Sequence, residues 1–135
     1  MLKKAMLSVA CAIGCAALAV DTGSAAPQPG LLTGRTGQDR AIRLQLKQDS
    51  VQIKRFTIEA RCRDGSWLII EESGFVPTPL RQGGRIRDYQ FGSTDKVWIR
   101  GRLQGRGLQG TIRVTDRWGG VRCNSGWVRF HASRG

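Results

Sequence analysis

Gly105-Arg106-Gly107-Leu108-Gln109-Gly110 carries the spacing G-x-G-x-x-G, which elsewhere brings backbone amides against a pyrophosphate. Such a loop must follow a strand and open a helix, whose N-terminus holds the anion. Here Lys96 to Leu103 precede the motif, and Thr111-Ile112-Arg113-Val114-Thr115 continue it with two-residue alternation. A strand follows, so the motif reads as a hairpin and no cofactor is expected. If Leu103 faces Leu108 across a four-residue loop, Val97 opposes Val114, Ile99 opposes Ile112 and Gly101 opposes Gly110. Every apolar residue then falls on one face, the condition that pins a register.

Other residues with reactive side chains assemble no recognisable machinery. His131 is the single histidine, and no base or nucleophile is paired with it by a motif. Glu71 and Glu72 adjoin on opposite strand faces, so they do not make the facing carboxylates of a glycosidase. Asp64 and Asp116 flank turns and read as turn formers. Asn124-Ser125-Gly126 lacks the following helix of a nucleophile elbow. It reads instead as a bulge or turn, because inward positions are odd at Val121 and Cys123 but even at Val128 and Phe130. The expectation is a non-enzymatic protein with no metal site, a small hydrolase being the weakest alternative.

Cysteine usage ties chemistry to compartment. Met1-Leu2-Lys3-Lys4 precedes an apolar or small-residue run from Ala5 to Val20, the pattern of a secretory signal. A cut after Ala25 is expected, with Ala17-Leu18-Ala19 as an earlier alternative. Lipid attachment at Cys15, after Ala12-Ile13-Gly14, is a minor one. Removing residues 1–25 takes away Cys11 and Cys15 and leaves Cys62 and Cys123 as one pair in an oxidising space. A Cys62–Cys123 disulfide is therefore expected, worth on the order of 4 kcal/mol by loop entropy.

The elements that must position these residues are strands. Residues 26–34 read as a leader or linker, and 35–133 as one domain. Ile42, Leu44 and Leu46 alternate with polar residues, and Val51 and Ile53 resume after a turn at Asp49-Ser50. The phase slips at Lys54-Arg55, which predicts a bulge, and Phe56, Ile58, Ala60 and Cys62 share the next face. Turns follow at 63–65, 92–95 and the tight Trp118-Gly119-Gly120 connection, with an irregular stretch over 72–84. About seven short strands predict an antiparallel β-sandwich or partly open barrel with one inter-strand disulfide.

That pattern leaves an outward row. With Val97, Ile99 and Leu103 inward, Trp98, Arg100 and Arg102 point out, as do Arg113 and Arg117 on the partner strand. Trp127, Arg129 and His131 take the outward phase of the last strand. The formal net charge is +12, and loss of Lys3, Lys4 and Asp21 with the signal makes it +11. Such a balance predicts attraction to anions, and tryptophan with arginine is a common binding pair. The same alternation is what any soluble sheet requires, so the face is a candidate only. The partners expected are an acidic glycan or other anionic polymer, anionic lipid head groups or an acidic protein. Export removes intracellular nucleic acid. A carbohydrate-binding module using the exposed tryptophans is the alternative.

Gly34-x-Thr36-x-Gln38, Cys62-x-x-Gly65, Gly101-x-Leu103, Gly110-Thr111-Ile112-x-Val114 and Cys123-x-Ser125-Gly126-x-Val128-x-Phe130-x-Ala132 stand in one order. Over roughly residues 34–132 this resembles a group of small secreted bacterial domains of uncharacterised function, single-disulfide β-sandwiches. The resemblance implies a fold, a disulfide and export to the periplasm or exterior. It implies no catalytic residues.

Overall fold

The computed structural model describes residues 29–92 and 94–134, which form ten antiparallel strands and no helix. The signal segment expected over 1–25 lies outside the described residues. The strands are β1 (Gly30–Thr36), β2 (Ala41–Leu46), β3 (Ser50–Cys62), β4 (Trp67–Ser73) and β5 (Thr78–Pro79). They continue with β6 (Arg85–Phe91), β7 (Lys96–Gln104), β8 (Gly107–Trp118), β9 (Val121–Asn124) and β10 (Val128–Ser133). Of the two expected architectures the barrel is the one found, and it is closed. The ring runs β1–β2–β3–β9–β8–β10 and returns to β1. Strands β4 and β5 extend it from the other edge of β3, and β7 with β6 from the other edge of β8.

Closure depends on one bend. Strands β9 and β10 lie end to end along the same edge of β8, joined through Ser125-Gly126-Trp127. Gly126 takes φ +70°, and the Ser125 hydroxyl accepts the Val114 N–H at 2.8 Å where the ladder is broken. The Ser125 N–H returns to the Val114 carbonyl at 2.9 Å. The predicted phase change is this bulge, and it lets β9 turn to β3 while β10 pairs with β1. A second bulge leaves Lys54 without a partner between Arg43↔Arg55 and Leu44↔Ile53, as the slip in phase predicted.

The 96–115 hairpin has the predicted register, with Val97↔Val114, Ile99↔Ile112, Gly101↔Gly110 and Leu103↔Leu108. Its loop is shorter than expected. Gln104 pairs with Gly107, and Gly105 at φ +60° supplies the left-handed residue of a two-residue turn. At Gly110 a Cβ would strike the Arg100 carbonyl and the Gly101 Cα, so the ladder there requires glycine. Phe130 and Ile86 are the next partners outward from the glycine pair, on β10 and β6. Two glycines thus lie between bulky inward residues of adjacent strands.

Three expectations are corrected. Residues 30–34 are not linker but the first part of β1, where Leu32 is fully buried. The glycine that suggested a linker, Gly34, sits where a Cβ would meet the backbone of His131 and Ala132. Asp116 forms no turn; it lies within β8 opposite Cys123. The 72–84 stretch completes β4 as far as Ser73 and contributes the short β5. Phe75 from that stretch is buried and stacks on Phe56 with ring centroids 5.6 Å apart. Asp64 is a turn former as expected: hydrogen bonds from the Ser66 hydroxyl and then its N–H hold its carboxyl below the usual range.

The inner face carries the alternating residues of every ring strand, among them Leu44, Ile58, Leu108, Ile112 and Ala132. Cys62 and Cys123 belong to this core and form the expected disulfide directly across the β3–β9 pair. Burying each larger aliphatic side chain is worth roughly 1.5–3 kcal/mol.

Candidate functional site

An inward residue at one position sends its neighbours outward, so the core determines what the outer face displays. Three transverse rows follow from the registers of β6, β7, β8 and β10. The first is Tyr89–Trp98–Arg113, the second Arg87–Arg100–Thr111–Arg129, and the third Arg85–Arg102–Gln109–His131, which continues to Arg35 on β1. Trp98 is half-buried between its neighbours, stacked on Tyr89 at 5.0 Å with the Arg113 guanidinium 5.1 Å from its ring centroid. Trp127 is 42% exposed, and the Arg100 guanidinium lies over its ring at 4.0 Å. Both indoles therefore carry an arginine at the ring, Trp98 while half-buried and Trp127 while still exposed. The covering of Trp98 comes from Tyr89 and Arg113.

Barrel curvature divides the eight outward candidates among several concavities. Trp98, Arg113 and Arg117 line a cleft of about 820 Å³ beside the disulfide. Trp98 also borders a second hollow of about 600 Å³, shared with Arg100, Trp127, Tyr89, Arg81 and Arg87. Arg129 and His131 face a separate hollow against Arg35 and Gln109, and Arg102 stands with Arg81 and Arg85. The face is one surface by register, but only Trp98 joins its two main hollows.

Four cations of the cleft were not anticipated: Arg61, Arg63, Lys96 and Arg122. The signal for three of them was available in the disulfide. With Cys62 and Cys123 inward and paired, Arg61 and Arg63 on one side and Arg122 and Asn124 on the other must point out together. The Arg63 N–H donates to the Arg122 carbonyl at 2.9 Å and carries the pairing one step further.

Carboxylates are scarce here. Asp116 is the one acidic residue lining the cleft, against Arg61, Arg63, Lys96, Arg113, Arg117 and Arg122. Among the described residues the ion pairs are Arg35–Asp39, Arg40–Glu59 and Arg55–Glu71, all outside it. Arginine faces arginine across the ladder at Arg117↔Arg122, Arg87↔Arg100 and Arg85↔Arg102. Directly opposed like charges destabilise a sheet. A concave, single-sign site concentrates its potential and draws counter-ions.

Beneath the basic surface lies an acidic contact. Glu72, opposite the buried Phe56, is half-buried on the inner side of β4. Burial first, then a hydrogen bond with Asp95 and the charges of Asp95 and Asp116, push its carboxyl up to about 7. Exposed aromatic and aliphatic side chains elsewhere include Trp118 at the β8–β9 turn and Trp67 with Ile69 on β4. Gly119 and Gly120 both take positive φ, giving the tight turn expected beside Trp118.

No family model, curated protein or solved structure matches the chain.

Proposed function

We propose that this is an exported, non-enzymatic domain that binds an anionic partner through the basic outer face of β7, β8, β9 and the end of β3. The observation that carries the reading is the cleft itself, lined by six cations and a single carboxylate, with none of the six in an ion pair among the described residues. Opposed arginines such as Arg117 and Arg122 repel one another unless an anion stands between or beside them. Export is supported by the basic-then-apolar N-terminal sequence together with a formed, buried disulfide. The carbohydrate-module alternative loses ground, because Arg100 lies over Trp127 and Trp98 is flanked by Tyr89 and Arg113.

The test is retention of the protein on anionic polymer beads. Binding should weaken steeply between about 50 and 200 mM salt, since several charges are engaged. Replacing Arg100, Arg113 and Arg122 together with alanine should lower retention while the fold survives. Retention undiminished by salt would overturn the electrostatic reading and return the tryptophans to the role of ligand platforms.

A further inference from the structure

We infer that the cleft beside the disulfide is a site for a tetrahedral oxyanion ester, phosphate or sulfate, carried on a polymer. This rests on the proposed anion-binding reading and adds which anion is preferred and where it sits. The cations reach the cleft from four neighbouring strands of the sheet, β3, β9, β8 and β7. Arg61 and Arg63 flank Cys62 at the end of β3, Arg122 precedes Cys123 on β9, Arg113 and Arg117 rise from β8, and Lys96 stands at the start of β7. A carboxylate offers two oxygens in one plane and is satisfied by one guanidinium fork. A phosphate or sulfate ester directs its oxygens out of any single plane, so donors spread over neighbouring strands can each reach one. Convergence from several strands therefore suits the tetrahedral group.

Two features make the site built rather than merely charged. Arg113 is held from two sides: its guanidinium lies by the Trp98 ring, and its Nε–H donates to the Asn124 Oδ1 at 3.4 Å. Asn124 is itself fixed, since the same oxygen accepts the Gly126 N–H at 2.8 Å. The terminal Nη groups of Arg113 remain for a ligand, and much of the side-chain ordering cost is met before binding. Four residues further along the same strand, Arg117 lies beside Arg122 of β9, and the Cys62–Cys123 bridge borders the cleft. The bridge fixes the separation between the β3 arginines and Arg122.

The experiment compares dextran phosphate, dextran sulfate and polygalacturonate of matched chain length at one salt concentration. Guanidinium forks from several strands should favour the first or second over the polycarboxylate by roughly tenfold, and the tighter of the two names the ester. The charge-preserving double variant Arg113→Lys/Arg122→Lys should reduce that preference below about threefold while polygalacturonate affinity holds, because a carboxylate still finds one fork among Arg61, Arg63 and Arg117, whereas the tetrahedral group loses two of the forks it uses together. A matched variant outside the cleft, Arg102→Lys/Arg129→Lys, should leave the preference unchanged. Equal affinity of the natural protein for all three polymers would overturn this inference and leave the broader reading standing. Binding to none of them would overturn both. Equal loss of preference in the two lysine variants would remove the site from the cleft.

Discussion

Breaking the Cys62–Cys123 bridge tests the fold where its ring is weakest. The β3–β9 seam has two register pairs, Arg61↔Asn124 and Cys62↔Cys123, with one further hydrogen bond from Arg63 to Arg122. By contrast β7 and β8 pair along nine positions, from Lys96↔Thr115 to Gln104↔Gly107. The bridge spans a sequence separation of 61. Loop-entropy reasoning then assigns it about 4 kcal/mol at 25 °C, a large part of the roughly 5–15 kcal/mol that holds an ordinary domain. The assay is urea unfolding of the oxidised protein beside the same protein with the bridge reduced, which alters no side-chain volume elsewhere. With a slope of about 2 kcal/mol per M urea, the midpoint should fall by roughly 2 M. Amide exchange adds a local signature: the Arg63 and Asn124 amides should lose protection first, while those of the β7–β8 hairpin follow global unfolding. Equal midpoints for the two forms would refute the assigned stabilisation. Uniform loss of protection with no early opening at the seam would refute the claim that the ring is weakest there.

Two further outcomes follow from close contacts. Gly110→Ala places a Cβ against the Arg100 carbonyl and Gly101 Cα, so the β7–β8 ladder must open and thermal stability should drop by about 1–3 kcal/mol; a neutral result would mean the ladder relaxes freely. Glu72 has a native pKa raised above the ordinary carboxylate value of 4.5 to about 7, so its contribution is fully present below pH 4.5 and lost as pH rises through 7. After allowance for its partial exposure to solvent, the difference in stability between the natural protein and Glu72→Gln should change by about 1 kcal/mol across that window. A difference that is flat with pH would show that burial, with the Asp95 hydrogen bond and the Asp95 and Asp116 charges behind it, does not hold the Glu72 carboxyl above its ordinary value.

Much of this protein was legible without coordinates because a strand obeys a period of two. Alternation alone placed Val97, Ile99, Ile112 and Val114 on one face, located the slip at Lys54-Arg55 and identified the bend at Asn124-Ser125-Gly126. Cysteine counting paired Cys62 with Cys123. These are local or nearly local constraints: a turn, a register and a pair with no competitor. Ring closure was not local. Nothing in the period of β10 says that its far edge pairs with β1, so the glycine-rich 30–34 segment passed for linker until Gly34 met the His131 and Ala132 backbone.

The candidate site divides in the same way. Alternation determined that Trp98, Arg100, Arg113, Trp127 and Arg129 turn away from the core, because their neighbours must turn toward it. Only the tertiary structure decided their company. Curvature separated Arg129 and His131 from the cleft, and the seam at the disulfide brought in Arg61, Arg63 and Arg122 from residues distant in the chain. It also decided what the tryptophans do, since ring stacking depends on which strand lies alongside. The physical reason is that side-chain direction is set by the backbone of one strand, whereas a binding surface is set by the closure of several.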